Sequence, residues 1–159
     1  MIMSEREVWQ RVMAGREAQP AAVPRTHDPQ ETLSGFIRQK QLAVHDYVQL
    51  NAKFPSAKTA GVIMNILSEE RRHLKRLAAA YYILTGSSPA HGETAGQKNE
   101  PRLAALRRLY LAEEKSAESY LAAAAGTDSP RLSAMYRELA EDEKRHAESL
   151  GTMIENALG

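Results

Sequence analysis

Apolar and charged residues are mixed at helical spacing along almost the whole chain, and the strict alternation of a half-buried strand is nearly absent. Helix formers dominate, and the residues that break helices fall in clusters. Those clusters divide the chain. Ser4 with Glu7 forms a capping box for a short first helix that carries Val8, Trp9, Val12 and Met13 on one side. GREAQPAAVPRTHDP then reads as a linker or arm. Asp28-Pro29 with Glu31 opens a long helix reaching about Ala52, and Phe54-Pro55-Ser56 is a tight turn. A second long helix runs from about Ala57 to Leu84 and stops at Thr85-Gly86. SSPAHGETAGQKNEP is a polar loop. A third helix runs from about Glu100 to Ala125, and Asp128, Ser129 and Pro130 start a fourth that reaches about Ala157. Four long helices with short, long and short connections predict an all-α four-helix bundle of two helical hairpins joined by a long crossover loop. The expected division is an N-terminal helical arm and linker over 1–29 and the bundle over 30–159.

Composition narrows the function. A chain of 159 residues fits one domain with a sizeable core. The net charge is +1 and no basic stripe is interleaved with aromatic residues, so nucleic acid is not an expected partner. No apolar run is long enough to span a membrane, and the N-terminal residues lack the order of a signal peptide. Cysteine is absent, which excludes disulfides, thiolate metal sites and thiol nucleophiles, and fits a cytoplasmic location.

The two hairpins repeat. A shift of 73 residues carries Tyr47 onto Tyr120, Glu70 onto Glu143 and His73 onto His146. Glu69 falls on Asp142, Arg72 on Arg145 and Leu77 on Leu150. Positions i and i+3 share a helix face, so a Glu oxygen and a His nitrogen there can reach one point. Two such pairs on antiparallel helices can converge inside a bundle, and carboxylate with imidazole suits iron or manganese. A single Glu-x-x-His among arginines and lysines is ordinarily a solvated face; two pairs at one offset, each with its tyrosine, point inward instead. One heptad before Tyr120, on the same face, is Glu113. Glu114, rotated by about 100°, is expected in solvent. Carried back by the repeat, Glu113 lands on Lys40.

These residues resemble the rubrerythrin branch of the ferritin-like superfamily. The resemblance covers about residues 33 to 155 and rests on FIRQKQLAVHDYVQL, SEERRHLKRLAAAYYILTG, LYLAEEKSAESYLAAAA and LAEDEKRHAESL. It implies a diiron-type centre and chemistry on peroxide, dioxygen or iron. It further implies bridging carboxylates at Glu70 and Glu143, terminal nitrogen ligands at His73 and His146, and a terminal carboxylate at Glu113. The chain departs from that pattern in three ways. Lys40 stands where the helix-1 glutamate belongs. Tyr110 and Ser116, a turn to either side of Glu113, are not acidic. A cysteine-free chain carries no rubredoxin-like iron, so electrons would come from a separate protein. Ferritin-like proteins often pair, so the resemblance also implies a homodimer.

Lys40 changes the charge balance. Three carboxylates and one ammonium leave two negative charges in a buried site; one divalent ion neutralises them, and so do two protonated histidines with no metal. The expectation is that Lys40 forms ion pairs with Glu70 and Glu143 and replaces one metal ion, leaving a site with one ion or none. The alternative is a rotated first helix whose lysine snorkels to solvent and turns Gln41 inward. Asp46, about 240° round the helix, is no substitute.

Tyr47 and Tyr120 flank the expected site, where they could hydrogen-bond a ligand carboxylate, carry a radical or simply pack. Tyr81, Tyr82 and Trp9 read as packing residues. His27, His45 and His91 lack partners at ligand spacing and read as loop or surface residues. No residue is singled out as catalytic. The functional expectation is a metal-binding protein with one or two iron or manganese ions, an oxidoreductase acting on peroxide or dioxygen. A metal-free, non-enzymatic bundle salt-bridged by Lys40 stays open beside it.

Overall fold

The computed structural model describes residues 28–92 and 99–159. They form four helices, α1 Pro29–Asn51, α2 Ala57–Thr85, α3 Arg102–Gly126 and α4 Pro130–Leu158, and no strand occurs among them. The expected arm, with Val8, Trp9, Val12 and Met13, lies outside the described residues.

The helix ends follow local chemistry. Asp28 caps α1, its Oδ1 accepting from the Gln30 amide at 3.1 Å, and Pro29 occupies the first turn, where no amide donor is needed. Ser129 caps α4 in the same way, accepting from the Leu132 amide at 3.2 Å ahead of a first-turn proline. Gly86 ends α2 at φ +72°, a left-handed conformation that glycine adopts without strain, and donates its amide to the Tyr82 carbonyl at 2.7 Å.

Helices α1 and α2 pack as one antiparallel hairpin and α3 and α4 as another. The hairpins meet along α1 with α3 and α2 with α4. The two apolar clusters show the relative directions. One gathers Tyr47 and Leu50 from the end of α1, Ile63, Ile66 and Leu67 from the start of α2, Leu106 and Leu109 from the start of α3, and Leu150 and Met153 from the end of α4. The other, at the opposite end, gathers Leu33, Phe36, Ile37, Leu77, Tyr120, Tyr136 and Leu139. The start of α1 thus lies beside the end of α3, so neighbouring helices are antiparallel across the hairpin interface too.

That arrangement forces the connection after α2 back along the length of the bundle. Its described residues meet α1 twice. Gln41 donates to the Ala90 carbonyl at 3.2 Å and accepts from the Gly92 amide at 2.9 Å. Near the far end, Lys53 bonds the Glu100 carbonyl, while Arg108 joins Glu100 at 2.9 Å to Asp46 at 3.0 Å. Gln41 and Asp46 are therefore occupied on the outer face of α1.

Between the two apolar clusters, all the buried charge among the described residues is gathered in one layer: Lys40, Glu70, His73, Glu113, Glu143 and His146. The clusters must supply the stability that surrounds it. Leu77 is fully buried, whereas Leu42 is 44% exposed. Leu77→Ala is expected to cost about 2–5 kcal/mol, and Leu42→Ala under about 0.5 kcal/mol. Chemical denaturation of the two variants checks this, and equal losses would contradict the division of the core.

Candidate metal centre

Each helix sends one layer of polar side chains inward. Helix α1 contributes Lys40 and Tyr47, α2 contributes Glu70 and His73, α3 contributes Glu113, and α4 contributes Glu143 and His146. Every residue expected at the site is buried, Lys40 at 2% exposure included. The rotated-helix alternative is thereby rejected: Lys40 faces inward and Gln41 faces the crossover.

The Lys40 ammonium donates to Glu70 Oε2 at 2.8 Å and to Glu143 Oε2 at 2.6 Å. Each glutamate keeps its second oxygen on the other side, where no hydrogen bond reaches it. Those two Oε1 atoms face the histidines. His73 Nδ1 lies 3.4 Å from Glu70 Oε1 and 3.1 Å from Glu143 Oε1. His146 Nδ1 lies 3.2 Å from Glu70 Oε1 and 3.6 Å from Glu113 Oε2. None of these contacts has hydrogen-bond geometry, so both Nδ1 atoms and all three facing carboxylate oxygens are buried without a partner.

Five ligand-type atoms thus meet at 3.1 to 3.6 Å without a hydrogen bond between them, and the contacts are ion pairs while the histidines are protonated. One atom each from Glu70, Glu113, Glu143 and His146 lies within 4.8 Å of all the others. An ion bonding at about 2.1 Å in a tetrahedral or octahedral shell separates adjacent ligands by about 3.0–3.4 Å. Within that set His146 Nδ1 lies 3.2 Å from Glu70 Oε1 and 3.6 Å from Glu113 Oε2, close to that range, while other pairs are bounded only by 4.8 Å; His73 is not part of the set. The donors are hard oxygens with one or two imidazoles, a set that suits iron or manganese.

The outer ring nitrogens are tied down across the bundle. His73 Nε2 pairs with Asp142 of α4 at 2.9 Å, and His146 Nε2 with Glu69 of α2 at 2.7 Å. Each carboxylate precedes the ligand glutamate of its own helix and holds the histidine of the other. Arg145 bridges the pair, bonding Asp142 and lying 3.7 Å from Glu69. A carboxylate at Nε2 favours that nitrogen as the donor, so the ring that loses a proton loses it from Nδ1, the nitrogen that would bind an ion. The sequence set Asp142 and Arg145 in the repeat, opposite Glu69 and Arg72, without giving them a place at the site. The signal that could have located the crossed ties was present, since Glu69 falls on Asp142 in the repeat.

Other side chains refine the expectations. The Tyr47 hydroxyl donates to Glu113 Oε1, so Tyr47 supports a candidate ligand rather than only packing. Tyr120 does not: its hydroxyl is buried without a partner and its ring packs on Phe36, centroids 4.4 Å apart. Glu114 is half-buried rather than solvated, because Tyr110 donates to it at 2.9 Å. His45 is not a surface residue: it is half-buried on α1 with its Nε2 enclosed. Tyr82 does not pack; it is 58% exposed at the end of α2. His27 and Trp9 lie outside the described residues.

Electrostatics in this layer is a contest between burial and neighbours. Burial alone would push the Lys40 ammonium down, but Glu70 and Glu143 outweigh it and hold its pKa above the usual lysine value. Burial opposes the Glu70 carboxylate as well, and the Lys40 charge keeps it well below its ordinary range. Glu143 is likewise lowered against burial, by His73 and Lys40. Glu113 has no lysine, and burial raises it to about 7. His73 and His146 are disfavoured as cations by burial, yet the carboxylates around them raise them to about 9 and about 10.

A solved structure of a hypothetical protein from Pyrococcus furiosus shares the architecture. It superposes with a TM-score of 0.72 over 81% of this chain and 89% of that chain, at 23% identity. The four-helix fold is therefore one already seen in a solved structure. At that identity the likeness concerns the fold alone. No protein-family model and no curated protein sequence matches the chain.

The pKa shifts give a testable sign. Glu113, His73 and His146 bind protons more tightly folded than unfolded, so their contribution is present below their unfolded values, about 4.3 and 6.5, and is lost as pH rises through the folded ones. Metal-stripped protein is expected to lose thermal stability steadily from about pH 6 to pH 10. A melting temperature in chelator that stays flat or rises over that window would contradict the charge assignment.

Proposed function

We propose that this chain is a ferritin-like, rubrerythrin-like protein that binds iron or manganese at Glu70, Glu113, Glu143, His146 and His73, and uses it in redox chemistry on peroxide or dioxygen. The observation that carries the reading is the set of buried ligand atoms from Glu70, Glu113, Glu143 and His146 that lie within 4.8 Å of one another, with His73 Nδ1 beside two of them and the far nitrogens of both histidines pinned by carboxylates. The bound ion would supply the electron transfer, because no cysteine is present. The chain's own residues bring the rest. Glu70, Glu113 and Glu143 supply negative charge, Asp142 and Glu69 set the ring tautomers, and Tyr47 orients Glu113. The apolar clusters at either end exclude bulk water from the layer. A separate electron donor and a homodimer, both suggested by the resemblance, belong to the same proposal.

A second reading is favoured by one specific contact. Lys40 bonds both Glu70 and Glu143, so the layer can stand as an ion-pair network without metal, and the protein would then serve as a non-enzymatic bundle. Loading with Fe(II) or Mn(II) separates the two. The metal-binding reading expects bound ion in metal-stripped protein reloaded anaerobically, and peroxide consumption when an artificial electron donor is added. It also expects Asp142→Asn and Glu69→Gln each to weaken ion affinity about 10–100-fold by releasing a ligand histidine. No retained ion, with the same melting temperature with and without chelator, would support the metal-free bundle instead.

A further inference from the structure

The repeat defines an exchange of the two halves, in which Tyr47 trades places with Tyr120, Glu70 with Glu143, His73 with His146, and residue 40 with Glu113. The structure follows this exchange at the histidine ties and at the contacts of each histidine with the glutamate of the other hairpin. His73 pairs with Asp142 as His146 pairs with Glu69, and Asp142 and Glu69 are themselves exchanged. Lys40 donates equally to the two glutamates that trade places.

The tyrosine contacts break the exchange at position 40. Tyr47 donates its hydroxyl to Glu113, so Tyr120 should donate to residue 40. An ammonium has donors and no acceptor, and it cannot receive that bond. Accordingly the Tyr120 hydroxyl is buried without a partner, while Lys40 Nζ sits over its ring, 5.7 Å from the centroid. A phenol enclosed beside position 40 with nothing to donate to is the mark of an acceptor the architecture has room for and the chain does not supply. The layer is built for a carboxylate at position 40 and carries a cation there.

That cation already does what an ion would do on its side. Glu70 and Glu143 each give one oxygen to Lys40 and hold the other free, facing the histidines. A carboxylate with one oxygen on each of two cations is a bridging carboxylate, and here one of the two cations is covalently part of the chain. Three carboxylates, one ammonium and one divalent ion sum to zero with neutral histidines. A second divalent ion would bring two uncompensated positive charges into a buried layer, would lack the position-40 carboxylate, and would lie against the ammonium.

We propose that Lys40 is a built-in cation occupying the second position of an internally symmetric two-cation site, so that this chain takes one divalent ion and Lys40→Glu converts it to two. The proposal rests on the metal-binding reading, and its test separates the two. Tag-free protein is stripped with chelator, reloaded anaerobically with Mn(II), and ions per chain are counted by elemental analysis for the wild type and K40E. Electron paramagnetic resonance on the same samples distinguishes an isolated Mn(II) ion from an exchange-coupled pair.

The expected result is one isolated ion in the wild type and a coupled pair in K40E. Two ions in the wild type overturn the role of Lys40 and leave the metal site standing. One ion in both proteins overturns the conversion. No ion in the wild type overturns the one-ion count, and no ion in either protein removes the metal reading as well. Should K40E fail to fold, the wild-type count and spectrum decide alone: one isolated ion supports the proposal and a coupled pair overturns it.

Discussion

The ammonium of Lys40, held between Glu70 and Glu143 at the middle of the bundle, is the interaction around which the rest is arranged. Two carboxylates from helices of different hairpins cannot share a water-poor layer as bare anions. A cation between them makes their approach favourable. It also ties α1 to both α2 and α4, so the two hairpins are registered against each other at that level. The apolar clusters on either side then fall at matching depths. Glu113 lies beyond the lysine's direct reach. Its carboxyl is raised by burial while its neighbours are lowered, and Tyr47 stabilises it by donation.

The same layer carries the functional argument. Buried charge is costly unless every group is matched, and a protein that only needed an ion-pair network would satisfy the facing oxygens and nitrogens too. Here the matched side is the side of Lys40 and the outer rims of the histidines. The ring Nδ1 atoms and the remaining carboxylate oxygens face one another across the space between, without hydrogen bonds. The two sides of the layer therefore differ: one is closed by hydrogen bonds, and on the other carboxylates and imidazoles meet without them.

Much of this was readable in the sequence, for identifiable reasons. Helix spans are set by local signals, and Asp28-Pro29, Gly86 and Ser129-Pro130 place their boundaries within a residue or two of those observed. The offset repeat identified Glu70, His73, Glu143 and His146 as inward residues, and the heptad from Tyr120 found Glu113. Lys40 emerged from the same repeat as the odd member, and its two ion pairs are those expected. What stayed hidden depends on register between helices. The crossed ties of His73 to Asp142 and of His146 to Glu69 join residues of different hairpins; the repeat pairs Glu69 with Asp142, but which histidine each one holds is set by the fold. Tyr47 and Tyr120 read alike in sequence, yet one has an acceptor and the other faces a lysine. Gln41 and Asp46 drew attention only as possible inward groups, because the contacts of the crossover with α1 are invisible without the fold.

The most direct measurement is a crystal structure of Mn(II)-loaded protein with an anomalous difference map at the manganese edge. The account predicts a single peak bounded by His146 Nδ1 and the free oxygens of Glu70, Glu113 and Glu143, with Lys40 still bonded to the opposite oxygens of Glu70 and Glu143. Two full-occupancy peaks with Lys40 turned out of the layer, or an intact layer with no peak, would contradict it.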